Sequence, residues 1–552
     1  MKNIFLLVSL FAAVQSFGQA PPPKFSLNGG ARAVYFADRL SLQPGDTITL
    51  PRENSGHVLA DLGVNIRPNA ATEVLAQVRV RNDYGGFWGS GVSFDIRQLT
   101  VKGLIQNRFK YTVGDMDYAL TPYTMFRAAP VLELFNGVPA LQTLQQNMPG
   151  YDVFMNANGT WRTQGAALDF GLLFKKGPQK LSNSLFAMRL RPGFGGAATE
   201  QWAFGGRSEL IWGDFPLRIG GTLVSIADLG GTSTSTDLYR NTVLATDGSL
   251  GNGLLRLNWE LGNSRSQFAD SGNTTKSDYF YTLGVKIGKQ WQVRYAEVGP
   301  DYFNPAAQTT AYNPIGIPRS FRAVGNDRVL RAASLYDFAR EASLYRSAWS
   351  TNLGNDTSNY LLIDPFGEAT PNRRGVTVAW QPSKLVKGLS LNARLQWFSE
   401  IRGSGTAALT QFTRAEVTAA YQWKKLDAKL MYRHQTAFRA NNEAEVPTLS
   451  VQMPWLSANI GYQLSSDLRF DAGLIQVQNR GTRFHAQRNA QNEIIDFTEV
   501  NFDYTETLPV ASVSYKVFGK STLQAGLLLS NVMQAGTDRS IRSGFLAYFI
   551  QF

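Results

Sequence analysis

Over much of its length this chain places apolar and polar residues at alternate positions, and that pattern limits its fold more than any other feature. Leu389, Leu391, Ala393, Leu395 and Trp397 share one set of alternate positions, and Ser390, Asn392, Arg394 and Gln396 share the other. A β-strand has a side-chain period of two, so such a stretch carries one apolar face and one polar face. Ala415, Val417, Ala419, Tyr421 and Trp423 oppose Arg414, Glu416, Thr418 and Gln422 in the same way. After Lys424-Lys425 the pattern resumes, with Leu426, Ala428, Leu430 and Tyr432 against Asp427, Lys429, Met431 and Arg433. Val58, Ala60, Leu62, Val64 and Ile66 oppose Asp61, Asn65 and Arg67. Beyond Pro68-Asn69, Val74, Ala76, Val78 and Val80 oppose Glu73, Gln77, Arg79 and Arg81.

A soluble antiparallel sheet also alternates, but its apolar face must find a partner sheet. Here 552 residues run on without a Pro/Gly/Ser-rich linker, and the strand pattern begins near Phe25 and reaches the end. One large closed sheet fits this better than several small sandwiches. Mean hydropathy is −0.19. Beyond the amino-terminal run no stretch of about 18 apolar residues is present, which excludes a helical membrane protein. A transmembrane barrel reconciles these facts, since each strand of about ten residues turns apolar side chains to lipid and polar ones to the lumen. Trp212, Trp291, Trp397, Trp423, Tyr432 and Tyr515 fall at strand ends, where aromatic girdles sit.

The two chain ends support that reading. Leu546, Tyr548, Ile550 and the final Phe552 alternate with Ala547, Phe549 and Gln551. This terminal strand resembles the carboxy-terminal signal of Gram-negative outer-membrane β-barrel proteins. The resemblance implies that the four residues are an assembly signal read by the barrel-assembly machinery. At the other end, Lys2 precedes an apolar run from Ile4 to Val14, followed by Ser16, Phe17 and Gly18. This predicts a secretory signal peptide over 1–18, removed on export, and a barrel over 19–552. The expected location is the outer membrane of a Gram-negative bacterium. There is no Cys, so neither a lipid-anchored Cys nor a disulfide framework is possible.

Turn signals predict the topology. Short connections are expected at Pro68–Ala71, Ile105–Asn107, Gly213–Phe215, Lys289-Gln290, Pro382–Gly388, Lys424-Lys425, Leu464–Asp467 and Phe518–Lys520. Longer segments are expected near 37–56, 115–150, 175–199, 228–237, 299–371, 434–453 and 479–506. Short periplasmic turns alternating with long extracellular loops are the barrel asymmetry, and the expected count is roughly 20 strands, within about 16 to 22. The region 176–262 parses only if one of the runs 183–192 and 238–246 does not span.

A barrel this wide cannot fill its lumen from the wall alone. Leu99–Gly103, a turn and the strand ending in Tyr111-Thr112-Val113-Gly114-Asp115 resemble the porin arrangement, in which an inward-folding loop follows such a strand. The resemblance implies a constriction over 115–150, with Asp115, Asp117 and Arg127 as polar contributors, and the residues Val138–Met148 are read as a short helix within it. The 299–371 segment is too long to be structureless. It is expected to hold a helix from an Asn326 cap to Arg346, with Leu335, Phe338, Ala342 and Tyr345 on one stripe. That helix is read either as a plug or lid or as a surface element on the rim.

Net charge is +12, with basic residues alternating along strands rather than clustered, so nucleic acid is not an expected partner. The arginines expected to line the pore and select anions are Arg67, Arg79, Arg81, Arg97, Arg294, Arg394, Arg414 and Arg433. The competing reading pairs such arginines with lumen carboxylates in a neutral network. Loop cations are also candidates for lipopolysaccharide phosphates, beside contacts with outer-membrane lipid. His57, His434 and His485 are far apart, no nucleophile elbow or zinc motif is present, and no catalytic residue, cofactor or metal is expected. Strand alternation begins too early for the large plug domain that precedes the barrel in TonB-dependent receptors. The expectation is a porin-like channel for passive or facilitated diffusion of small polar solutes, with mild anion preference. The alternative is a structural barrel that serves as a subunit or docking platform for other envelope proteins in a secretion, motility or surface-assembly complex.

Overall fold

The computed structural model describes residues 24–41, 52–84, 91–116, 118–125, 132–135, 137–146, 163–191, 200–213, 215–229, 238–268, 274–310, 319–322, 328–331, 334–340, 348–349, 361–382, 386–403, 406–440, 448–488, 494–534 and 537–552. The expected signal peptide, Asp117, Arg127 and Asn326 lie outside them.

Alternation of the kind seen in the sequence builds a single 22-stranded antiparallel sheet. Its strands are β1 Phe25–Ser41, β2 Arg52–Asn69, β3 Thr72–Tyr84, β4 Gly91–Ile105, β5 Phe109–Met116, β6 Thr163–Leu173, β7 Lys180–Arg191 and β8 Glu200–Ile211. They continue as β9 Leu217–Leu229, β10 Leu238–Gly251, β11 Leu255–Phe268, β12 Thr275–Ile287, β13 Trp291–Val298, β14 Arg373–Trp380 and β15 Leu389–Ser399. The last are β16 Gln411–Trp423, β17 Leu426–Arg439, β18 Leu449–Gln463, β19 Leu468–Arg488, β20 Ile494–Lys516, β21 Ser521–Gln534 and β22 Thr537–Gln551. Each strand pairs with its sequence neighbours, and β1 pairs with β22 from Gly30↔Gln551 to Ser41↔Ser540, which closes the barrel. Closure leaves no unpaired sheet edge within the belt, the condition a sheet must meet in hydrocarbon.

The seam includes the terminal residue. Phe552 O accepts from Gly29 N at 3.0 Å, and Phe552 N donates to Gly29 O at 3.1 Å. A Cβ at Gly29 would stand 2.1 Å from Asp61 O and 3.0 Å from the Phe552 ring, so only glycine lets that ring close over β1.

One end of the barrel carries the short turns 70–71, 106–108, 174–179, 212–216, 252–254, 288–290, 381–388, 424–425, 464–467 and 517–520. The other end carries the loops, including 117–162 and 299–372. The outward faces are those expected. Leu395, Trp397, Val417, Tyr421, Trp423, Leu430 and Tyr432 are exposed, whereas Gln396, Arg414 and Arg433 on the opposite face are buried. Aromatic rings edge the outer surface at both ends, with Trp291 against Trp380 at 5.8 Å near the turns and Trp397, Tyr279 and Tyr281 nearer the loops.

Three expectations about elements are corrected. Both 183–191 and 238–246 lie in spanning strands, β7 and β10, and 174–179 is a short turn rather than part of a long loop. The cause is the inner face. Phe186, Met188 and Leu190 of β7, and Val243 and Ala245 of β10, point inward and are buried under loop residues. Both strands mix apolar and polar side chains on each face, with Phe186 and Leu185 of β7 and Val243 and Leu244 of β10 on opposite sides, and so do not match an apolar-out, polar-in template. Next, 479–506 is mostly strand, because β19 and β20 continue as a ribbon whose one face carries Arg480, Thr482, Glu499, Asn501 and Asp503, while Val500, Phe502 and Tyr504 on the other pack into the apolar clusters. Finally, among the described residues the helix of the long loop is α2, Leu335–Arg340 (numbered after α1, Pro139–Gln146), and 341–347 lie outside them. Its cap is Ser334, whose N and Oγ bond Asp337 Oδ2 at 2.8 and 3.0 Å. Arg328–Arg331, expected to be helical, instead pairs with Arg319–Arg322 as a short ribbon.

Candidate functional site

The apolar inward patches of the wall are what the loops fold onto. α1 and α2 lie inside the barrel and share one apolar cluster with the inner faces of β1 and β17–β22. Val138, Leu141 and Leu144 from the first long loop and Leu335, Tyr336 and Phe338 from the second meet wall residues such as Phe36, Trp455, Phe545 and Phe549 there. Polar clips fix the register: Gln524 Nε2 donates to Ala140 O at 3.2 Å, and Leu335 N donates to Glu506 Oε2 at 2.9 Å. Tyr336 OH and Ser543 Oγ are 3.3 Å apart.

A second cluster joins the starts of the two loops on the opposite wall. Tyr123 stacks on Phe280 with centroids 4.7 Å apart, and Tyr302 meets the same ring edge-on at 5.4 Å. Asn304 Nδ2 donates to Tyr123 O at 2.8 Å and to Thr124 O at 2.7 Å, stitching one loop to the other. Asn241 Nδ2 on β10 donates to Phe303 O at 2.7 Å. Burial pushes the phenols of Tyr123 and Tyr302 well above their usual range, so both remain neutral, and the Tyr302 hydroxyl donates to Tyr123 O. A third cluster seats Leu362 and Ile363 against Phe398, Phe412 and Val451.

The charged groups of the inner face divide by depth. Arg79 forks onto Asp61, with Nε–Oδ1 at 2.6 Å and Nη2–Oδ2 at 2.7 Å, and both are buried. Arg81 and Arg97 are buried on the same wall. Arg414 and Arg433 converge on Glu416, each at 2.7 Å, and the Arg433 guanidinium lies 5.6 Å from the Trp455 ring centroid. Arg67 is 3.5 Å from Glu73. Arg294 reaches Glu368 of the long loop. Asp115, at the end of β5, accepts from Leu99 N at 2.7 Å and Gln164 Nε2 at 2.8 Å, which ties β4 to β6. Of the arginines expected to line the pore, Arg394 stands apart as exposed on the inner face, opposite Glu416 in the ladder.

Sequence reading missed further inner cations, two of them on adjacent strands. Arg256 on β11 and Lys286 on β12 are ladder partners near the turn end, and both are exposed. Alternation could have found them, because Leu255, Leu261, Leu283 and Ile287 are the exposed outer neighbours. Arg394 lies in the same ladder row, through Lys286↔Gln292, Gln292↔Ala379 and Ala379↔Arg394, but half-way along β15, and none of the three has an ion pair among the described residues. Elsewhere on the inner face, Arg469 is held by Asp427 at 2.7 Å and Asp471 at 2.8 Å, and Arg207 by Glu209 at 3.0 Å and by Asp247. Among the described residues no group of three or more His, Asp or Glu side chains is placed to hold a metal ion.

A closed antiparallel barrel with an apolar, aromatic-edged outer face and a polar, loop-filled interior is the architecture of outer-membrane β-barrel proteins. No known family matches the chain, and no curated protein does. Solved structures align along almost the whole length but weakly. The P pilus usher PapC translocation pore is 9% identical over 96% of this chain and 99% of that chain, with a TM-score of 0.40. OpdQ of Pseudomonas aeruginosa is 8% identical over 97% and 100%, with a TM-score of 0.34. OmpT, an outer membrane protein of Vibrio cholerae, is 9% identical over 96% and 99%, with a TM-score of 0.27. At these values the likenesses carry no argument about activity, and the architecture rests on the strand pairing itself.

Proposed function

We propose that this chain is an outer-membrane channel that passes small polar solutes and favours anions. The carrying observation is the set of inner-face cations Arg256 and Lys286 at the turn end and Arg394 half-way along β15, all three exposed. A guanidinium or ammonium without a carboxylate partner keeps its field in the lumen, whereas Arg79, Arg414 and Arg433 have theirs largely cancelled by Asp61 and Glu416. Passage at the loop end then depends on the inward segments 118–125, 132–146, 302–308 and 334–340, which act as the gate. The second reading is a structural barrel that docks other envelope proteins, and the amount of apolar packing inside the lumen favours it.

Planar-bilayer conductance of the purified barrel separates the two. The channel reading expects measurable conductance and a chloride-to-potassium permeability ratio above one at low salt. Changing Arg256, Lys286 and Arg394 together to Gln is expected to bring that ratio down. The difference should fade at 1 M salt, where the screening length drops to about 3 Å from about 10 Å at 0.1 M. A wild type without conductance would sink the channel and leave the docking platform.

A further inference from the structure

We propose that the outer wall at the β22–β1 seam binds a phosphorylated lipid of the outer leaflet, with its phosphate on Arg39 and Arg542 and its acyl chains in the groove beneath. The two arginines are direct ladder partners across the seam, and both are exposed on the outward face. Like charges directly opposite one another on a sheet destabilise the pairing unless an anion lies between them. Among the described residues neither guanidinium has a hydrogen bond or an ion pair. The contrast lies on the same rim: outward-facing Arg374 stands opposite Glu297, a carboxylate that also accepts from Tyr279, Tyr281 and Tyr295. The backbone register also sets Arg52 of β2 opposite Arg39.

Immediately below this pair is an apolar hollow of about 840 Å³ on the lipid face. Ala37 and Gly544 form its upper end, two residues along their strands from Arg39 and Arg542. Ala472, Ala511 and Ala525 keep its floor low, while Tyr35, Tyr462, Leu527 and Leu546 stand around it.

The height suits a headgroup. From Leu27 to Ala37 the outer face of β1 is apolar, a length of about 33 Å along the strand. At a tilt near 40° this is about 25 Å along the barrel axis, the height of the apolar band of such barrels. Arg39 lies one step beyond it, at the end that carries the long loops, which is the extracellular end in barrels of this kind. A single amphiphile with phosphate above and several acyl chains below satisfies both features. The outer-leaflet placement rests on the outer-membrane reading, but the site does not depend on conduction, so loss of either leaves the other measurable.

The test uses the full-length folded barrel in detergent, titrated with bisphosphorylated lipid A, with chemically dephosphorylated lipid A and with inorganic phosphate, and read by native mass spectrometry. Wild type is expected to hold the phosphorylated lipid at least tenfold more tightly than the dephosphorylated one. Arg39→Gln with Arg542→Gln should remove that difference and leave heat-modifiable migration unchanged, since both side chains point away from the packed interior. Gly544→Leu supplies an independent arm. A Cβ there meets only Leu527 Cδ2 at 3.8 Å, so the side chain fits and fills the hollow. It should weaken binding of the phosphorylated lipid with both arginines intact. Equal binding of the two lipids by wild type, or full affinity in the double arginine variant, would overturn the proposal. So would full competition by inorganic phosphate, which would make this a simple anion site. Loss of an oligomer in Gly544→Leu, in place of loss of lipid, would show the hollow to be a protein interface.

Discussion

At the scale of single residues, face and partner are separate questions. Arg79 sits on the polar set of a plainly alternating strand, so its inward direction follows from spacing. Its partner does not. Asp61 becomes its counter-ion because β2 and β3 pair in one register, Asp61↔Arg79. Both groups are buried, and removing one leaves the other as an uncompensated charge. Arg79→Gln is therefore expected to destabilise the barrel by about 3–5 kcal/mol in guanidinium unfolding from lipid vesicles. Adding Asp61→Asn to it should recover most of that loss. A cost equal to that of an exposed cation such as Lys102→Gln would show that the pair is not desolvated. Val417 and Thr418 test the faces. Val417 points to lipid, so Val417→Arg should cost about 2–4 kcal/mol if it lies near the midplane. Thr418, opposite Asn392 on the inner face, should accept Arg with a much smaller loss in the same assay. Equal losses would invert the face assignment.

At the scale of elements, strands with lipid outside and water inside are legible, and strands covered on both faces are not. β16 and β17 alternate cleanly because their outer residues meet lipid and much of their inner face is polar. β7 and β10 lose the pattern because a loop replaces water on the inside. The helix boundary misleads for a related reason. Asn326 is a good cap by type, but the Ser334–Asp337 pair makes the cap that is used, and Leu335 and Phe338 are anchored by burial rather than by helix length. The last strand is legible to its final atom. Phe552 closes the seam with two backbone hydrogen bonds to Gly29 and a ring packed over it. Deleting Phe552 is expected to lower the amount of heat-modifiable barrel recovered from the outer membrane, measured by unheated gel migration. Normal recovery would remove the terminal residue from both closure and assembly.

At the scale of the whole molecule, the wall and its contents behave as two layers. The wall is continuous and closed by hydrogen bonds, and the contents are loop segments held by side-chain packing and a few polar clips such as Gln524 to Ala140 O. Contacts of the second kind break without opening the sheet, so the contents can move while the wall persists. Replacing 132–146 by a short Gly/Ser linker removes α1 and its apolar anchors. The channel reading expects single-channel conductance to rise at least about twofold, since pore conductance scales with open cross-section in a barrel this wide. Unchanged conductance would place the gate elsewhere, on 302–308 or 334–340.

The amino-acid sequence by itself determined a closed antiparallel barrel, the outward face of its clean strands, the turn end against the loop end, and the strand that closes the seam. Each depends on local period or on the residue types of a turn, and a period of two survives whatever the rest of the chain does. Only the tertiary structure decided which arginines keep an exposed charge and which are matched by Asp61 or Glu416, because ion pairs are set by register between strands distant in sequence. It alone set the count at 22 strands, because β7 and β10 take their inner-face character from loops folded onto them. It alone brought Arg39 and Arg542 together, since residues at opposite ends of a chain become neighbours only when a barrel closes.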